Sequence, residues 1–65
     1  MQPVEEGQLW LDKHSKGERV VYIQSVTPNF GGYANCLSFN FAKNTRRYVQ
    51  IKLDGFHHQF RCLAT

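Results

Sequence analysis

The sequence contains no long hydrophobic run. None of its apolar stretches approaches the roughly 20 residues that a membrane-spanning helix needs. Its first residues include Glu5 and Glu6, whereas a secretory signal peptide begins with basic residues followed by apolar ones. We therefore expect a cytoplasmic protein with no membrane partner.

Cysteines are few, and close pairs of metal ligands are missing. Zinc sites are usually recognised by pairs such as Cys-x2-Cys or His-x3-His, and His14, His57 and His58 follow no such spacing. In a reducing cytoplasm we expect Cys36 and Cys62 to be free thiols. A disulfide between them is the alternative if their strands are adjacent. The sequence therefore predicts no metal and no cofactor.

A complete catalytic signature is missing too. Cys36 with a histidine could form a nucleophile and base that Asp54 orients, but nothing in their spacing supports this arrangement. A free cysteine is more often a small buried hydrophobe, and Asp54 before Gly55 is first a turn residue. We expect no catalytic residues and a non-enzymatic function.

The 3.6-residue period of amphipathic helices is also absent, and short alternating segments take its place. They predict strands at residues 8–11, 19–27, 33–41, 46–53 and 59–63. Val26 is out of step with Val21 and Ile23, which predicts a bulge near residues 24–25. Residues 56–58 are predicted to form a 3-10 turn, with Phe56 closing one end of a small barrel. The pattern predicts an all-β, SH3-like small five-stranded barrel with a short 3-10 turn before the last strand.

The most regular strand organises the rest. In it, Val49, Ile51 and Leu53 alternate with Tyr48, Gln50 and Lys52. The first set should face the core, and we expect the outward side to carry Arg47 together with the second set. The third strand has Tyr33, Leu37, Phe39 and Phe41 on one face, interrupted by Asn35, and Ala34, Cys36, Ser38 and Asn40 on the other.

With 65 residues the chain has room for one domain. We expect a flexible N-terminal arm at residues 1–6 and a single SH3-like barrel at residues 7–65. Such a short chain buries only about 60% of its unfolded surface, so that its stability is marginal and a homo-oligomer is worth considering. Nine aromatic residues partly compensate, and we expect Trp10 to be partly buried as the bulkiest of them.

Four segments resemble small uncharacterised SH3-like proteins of phages and bacteria. They are Gly7-Gln8-x-Trp10-x-Asp12, Arg19-x-Val21-x-Ile23-x-x-Val26, Arg47-x-x-x-Ile51-x-Leu53-Asp54-x-Phe56 and Cys62-Leu63. The resemblance covers most of the chain and rests on common residue types. It implies a fold and a possible phage or mobile-element origin, but no activity.

A second resemblance is to the type II plasmid dihydrofolate reductases, which are tetramers of SH3-like chains around a shared pore. Residues Val49-Gln50-Ile51 match part of the family's Val-Gln-Ile-Tyr stretch, and Gly32-Tyr33-Ala34 is similar to a Gly-Tyr-Ala run. Lys52 stands where that family has tyrosine. The resemblance implies a pore-type NADPH-dependent reductase as one alternative.

Basic residues dominate the second half of the chain, where only Asp54 is acidic. Cations attract phosphates, and exposed aromatic rings stack on unpaired bases. The predicted nucleic-acid-binding residues are Lys43, Arg46, Arg47, Tyr48, Gln50, Lys52, Arg61 and Tyr22. The partner would be DNA or RNA.

The same residues allow two other interpretations. Exposed aromatics can be hot spots for a host protein, and an uncovered edge strand can pair with another chain, so a protein-protein interaction module or inhibitor is the main alternative. Tyr22 and Tyr48 could also be cross-strand partners that only stabilise the sheet.

Overall fold

Five strands pair into one antiparallel sheet. The computed structural model describes residues 2–65 and contains the strands β1 (Leu9–Asp12), β2 (Arg19–Thr27), β3 (Tyr33–Asn40), β4 (Thr45–Lys52) and β5 (Phe60–Ala64). Their order across the sheet is β4-β3-β2-β1-β5, and every neighbouring pair is antiparallel. The predicted all-β class and the five strands are confirmed.

Two short helical turns join the strands. A 3-10 turn, Asn29–Gly31, lies between β2 and β3, and an α-helical turn, α1 (Phe56–Gln59), lies between β4 and β5. The turn before the last strand was predicted in the right place but as the wrong type. The Phe60 amide bonds back to the Phe56 carbonyl, four residues away, and closes an α-turn. No helix in residues 2–65 is long and apolar enough to cross a membrane.

Large aromatic side chains fill the core on the inward face of the sheet. The buried cluster consists of Trp10, Val21, Ile23, Ala34, Cys36, Phe56 and Phe60. The rings of Phe56 and Phe60 stack at 4.6 Å, and Trp10 meets Phe56 edge-on at 5.1 Å. The small residues Ala34 and Cys36 of β3 belong to the same buried cluster as these rings. Trp10 was expected to be partly buried, and it is buried almost completely, with 2% of its surface exposed.

The phase slip in β2 is a β-bulge. Ile23 pairs with Cys36 and Ser25 pairs with Asn35, so Gln24 has no partner in the register. An extra residue bends the strand and increases its twist, which lets Val26 return to the inward face opposite Ala34. The bulge predicted near residues 24–25 is confirmed.

The N-terminal segment contacts the sheet without forming a strand. Val4 packs against the core, and the Gln8 side chain donates to the Pro3 carbonyl at 3.1 Å. The Nε2 atom of His57 contacts the carbonyl of Gln2. The flexibility of residues 1–6 stays a prediction, and Met1 lies outside the described residues.

Gly32 provides a stability test of the turn into β3. It is buried at a φ of +90°, and a Cβ added there would lie 2.7 Å from the Cδ1 atom of Leu53. Gly31 has a similar φ of +85° but open space around it. We expect Gly31→Ala to cost about 1–2 kcal/mol of unfolding free energy from backbone strain alone. Gly32→Ala should cost about 1 kcal/mol more, because Leu53 must repack.

Urea denaturation of the two variants measures the difference directly. Both substitutions place alanine at a positive φ, so Gly31→Ala controls for that strain, and the ψ of 138° at Gly32 disfavours alanine further. Equal midpoints would contradict the packing of Leu53 against the turn.

Candidate functional site

The outward face of the sheet carries six of the eight residues predicted to bind nucleic acid. These six are Arg46, Tyr48, Gln50, Lys52, Arg61 and Tyr22. Side chains alternate along a strand, and residues opposite each other in the register share a face. The pairing therefore brings together residues from β2, β4 and β5 that are distant in the sequence.

Two tyrosines form a row across this face. Tyr48 on β4 is opposite Leu37 on β3, and Leu37 is opposite Tyr22 on β2. We call these three residues the tyrosine row. Tyr48 is 75% exposed and Tyr22 is 38% exposed, whereas Leu37 between them is half-buried. Both aromatic side chains are therefore accessible to a ligand.

A second row places cations at the two margins of the sheet. Arg46, Phe39, Val20, Leu11 and Arg61 follow one another across β4, β3, β2, β1 and β5. Its three middle members are apolar, and Val20 is buried. The outward face thus combines an apolar centre with an arginine on each edge strand, which suits a ligand with aromatic groups and negative charges.

On the other side of the tyrosine row, polar side chains hydrogen-bond to one another. Gln50 donates to Asn35 at 2.9 Å, and the Asn35 amide donates to Ser25 at 3.0 Å and to Thr27 at 2.9 Å. Lys52 lies beyond them on β4 and is exposed. These bonds fix the polar side chains beside Tyr48, and one Gln50 N–H remains available to a ligand.

Arg47 and Lys43 lie elsewhere. Arg47 is opposite Ser38 and shares the inward side of β4 with Val49, so the prediction that it lies beside Tyr48 is wrong. Arg47 is nevertheless exposed on that side. Lys43 is in the connecting loop, and both cations line a cleft on this side.

That cleft contains residues that the sequence analysis did not select. They are Arg19, Ser38, Asn40 and Thr45. Arg19 pairs with Asn40 and Asn40 pairs with Thr45 across three strands. Their proximity depends on the register of two hairpins, so only knowledge of that register would have revealed it.

The candidate metal ligands are dispersed. Within residues 2–65 no group of three or more His, Cys, Asp or Glu side chains is arranged to hold a metal ion. Cys36 on β3 and Cys62 on β5 are separated in the sheet by β2 and β1, and both are free thiols, as expected.

The two thiols should react very differently. Burial raises the pKa of Cys36 to about 11, against the opposing effect of the Arg19 charge, so this thiol stays protonated at neutral pH. Since the thiolate is the nucleophile, iodoacetamide at about pH 8 should alkylate Cys62 and spare Cys36 in the folded protein. Cys36 should become reactive in urea or as the pH approaches 11. Mass spectrometry of the alkylated protein checks this, and equal labelling of both cysteines would contradict the packing of β3.

Comparison with protein families, with curated proteins and with solved structures gave no match to the chain.

Proposed function

We propose that this protein is a small, non-enzymatic binding module that holds single-stranded DNA or RNA on the outward face of its sheet. The observation that carries the proposal is the tyrosine row, with Tyr48 three-quarters exposed in the centre of β4. A base stacked on an exposed aromatic ring contributes about 1–3 kcal/mol, and stacking tolerates any base. Unpaired bases can reach such a ring, whereas the bases of a duplex are already stacked.

The spacing of the row supports this function. Tyr48 and Tyr22 are two strands apart, which is roughly 9–10 Å because neighbouring strands lie about 4.8 Å apart. The two rings can therefore receive different bases. Leu37 separates them, so they are not the directly opposed pair that a purely structural role would favour.

Charges on the same face supply the attraction to phosphates. Arg46, Lys52 and Arg61 are all exposed on the outward face. Each phosphate contact made by a cation releases a counterion, so that the affinity falls as salt rises. We infer sequence-tolerant and salt-dependent binding.

An SH3-like barrel is the fold we propose for the module. The strand order, the bulge in β2 and the helical turn between β4 and β5 all support it. A cytoplasmic location agrees with the two free thiols. An origin in a phage or another mobile element is part of the proposal and is based on the sequence resemblance alone.

The test of the electrostatic part uses two charge-matched variants. Lys52→Gln should lower the dependence of log K on log salt by about 0.7, the value for one phosphate contact on a single strand. Lys16→Gln removes the same charge from the exposed β1–β2 loop and should leave the slope unchanged. Fluorescence anisotropy of a labelled oligonucleotide at several salt concentrations gives the slope for each variant. Identical slopes for Lys52→Gln and Lys16→Gln would show that Lys52 does not contact a phosphate.

A protein partner is the second candidate, favoured by the position of β4. Among residues 2–65 this strand pairs only with β3, so its other edge can add a strand from another chain, either a host protein or a second copy. Charged residues such as Arg46 and Lys52 on an edge strand oppose that pairing, which ranks this function second. A protein complex that survives Tyr48→Ala but is lost in Gln50→Pro would favour strand pairing with a partner protein.

The pore-type reductase remains the third alternative. It requires a tetramer and NADPH oxidation in the presence of dihydrofolate. A monomer in light scattering would remove it.

A further inference from the structure

A polar cleft opens on the side of β4 opposite Tyr48. Its volume is about 350 Å³. The residues that line it are Arg19, Ser38, Asn40, Lys43, Thr45 and Arg47. Three of them are cations, the other three have hydroxyl or amide donors, and none is acidic. The lining has the composition of an anion site rather than of an apolar ligand pocket.

Arg19 lines this cleft and is held in place by its neighbours. Its Nε donates to the Ser38 hydroxyl at 2.9 Å, and its Nη1 donates to Asp12 at 3.1 Å. The guanidinium carbon also lies 5.7 Å from the centre of the Phe60 ring. Within residues 2–65 these bonds use two of the five guanidinium N–H groups. The others remain available in a side chain that is already immobilised, which lowers the entropic cost of binding.

The other two cations supply uncompensated charge. Among the described residues the one ion pair joins Arg19 to Asp12, so Lys43 and Arg47 add two positive charges to the cleft. Asn40 accepts a hydrogen bond from the Lys43 amide through Oδ1 at 3.0 Å, which leaves its Nδ2 group free to donate. Charge and donors therefore converge from β2, β3 and β4.

We propose that this cleft binds a phosphate group. A phosphate offers several acceptor oxygens and negative charge, which match a guanidinium fork, an ammonium group and neutral donors. The tyrosine row lies on the other side of β4, so the two sites bind different parts of a ligand or different ligands. The source of the phosphate is either the end of a nucleic acid strand or a free nucleotide.

The test begins with an NMR titration, in which inorganic phosphate or 5′-AMP is added to isotope-labelled protein and the amide chemical shifts are followed. Both should shift the amides of Ser38, Asn40 and Thr45 saturably, whereas sodium chloride at the same ionic strength should not. Lys43→Gln and Arg47→Gln are exposed substitutions that should each weaken phosphate binding by about threefold to tenfold. Lys16→Gln removes a charge from the exposed β1–β2 loop, outside both the cleft and the outward face, and is the matched control.

Oligothymidine with and without a 5′-phosphate distinguishes the two sources. If the 5′-phosphate raises the affinity for oligothymidine by about threefold to tenfold, and Arg47→Gln abolishes this increase, the cleft binds strand ends. Phosphate and AMP binding without that gain assigns it to free nucleotides. No saturable shift with any probe, or an equal loss in Lys16→Gln, would overturn the inference.

The outcomes also separate this inference from the proposed function. If phosphate binds in the cleft but the oligonucleotides do not bind at all, the cleft stands and the function of the tyrosine row fails. If oligonucleotides bind through Tyr48 without any response in the cleft, the function stands and the cleft fails.

Discussion

Trp10→Ala is expected to leave most of the protein unfolded at 37 °C. Trp10 is 2% exposed and contacts Phe56 and His57 edge-on, with ring centroids 5.1 Å and 5.4 Å away. Truncating a buried tryptophan costs about 3–5 kcal/mol. A chain of 65 residues has a total stability of roughly 3–10 kcal/mol. The substitution therefore removes a large part of the stability, and in a marginal domain all of it.

A polar contact adds to this loss. The indole Nε1 donates to the Gln8 side-chain oxygen at 2.9 Å, and that oxygen also accepts from the Glu5 amide at 2.7 Å. Because Gln8 is itself buried, removing the indole leaves a cavity beside a buried acceptor. Trp10→Phe should be less damaging, since it keeps a ring against Phe56 and loses the hydrogen bond.

Circular dichroism during thermal unfolding measures the effect. Tyr48→Ala is the control, because an exposed aromatic on the outward face should change the stability by no more than about 0.5 kcal/mol. A cooperative transition of Trp10→Ala at the temperature of the parent protein would show that the aromatic core does not support the sheet.

Tyr48→Ala is expected to weaken binding to single-stranded oligonucleotides by about fivefold to more than a hundredfold, the equivalent of 1–3 kcal/mol of lost stacking. Tyr48→Phe keeps the ring and should bind almost as well as the parent protein. Phe41→Ala removes another exposed aromatic, 63% accessible, from beyond the end of β3 and outside the tyrosine row. It should have little effect on binding.

The pattern across these variants identifies the stacking surface. A strong loss in Tyr48→Ala, with near-parental binding in the other two, supports a specific role of the tyrosine ring. Equal losses in Tyr48→Ala and Phe41→Ala would indicate a general effect of exposed apolar surface. No loss in Tyr48→Ala would contradict the proposed interface.

Much of the fold could be predicted because its strands alternate regularly. The positions of the strands, the bulge after Ile23 and the burial of Trp10 all followed from period-two patterns and side-chain size. Hydrophobicity alone would have misplaced β3, whose inward side chains are the small Ala34 and Cys36. Those two residues share the buried cluster with Phe56 of α1 and Phe60 of β5, whose position follows from the pairing of the strands.

The site was harder to predict than the fold. Six of the selected residues share a face, but Arg47 was placed on the outward side with Tyr48, although neighbouring residues of a strand point to opposite faces. Strand alternation puts it with Val49, and its side chain is exposed on that side as well. Arg19 was not selected at all, because its approach to Arg47 depends on the pairing of β2 and β3, and of β3 and β4.

The most direct measurement is an anisotropy titration of the purified protein with labelled single-stranded DNA, single-stranded RNA and duplex DNA, each at several salt concentrations. The single strands should bind more tightly than the duplex, and their slopes of log K against log salt should be about −2, or roughly 0.7 for each of Arg46, Lys52 and Arg61. Tighter binding to the duplex, or no binding of single strands even at low salt, would contradict the central claim that the outward face of the sheet holds unpaired nucleic acid.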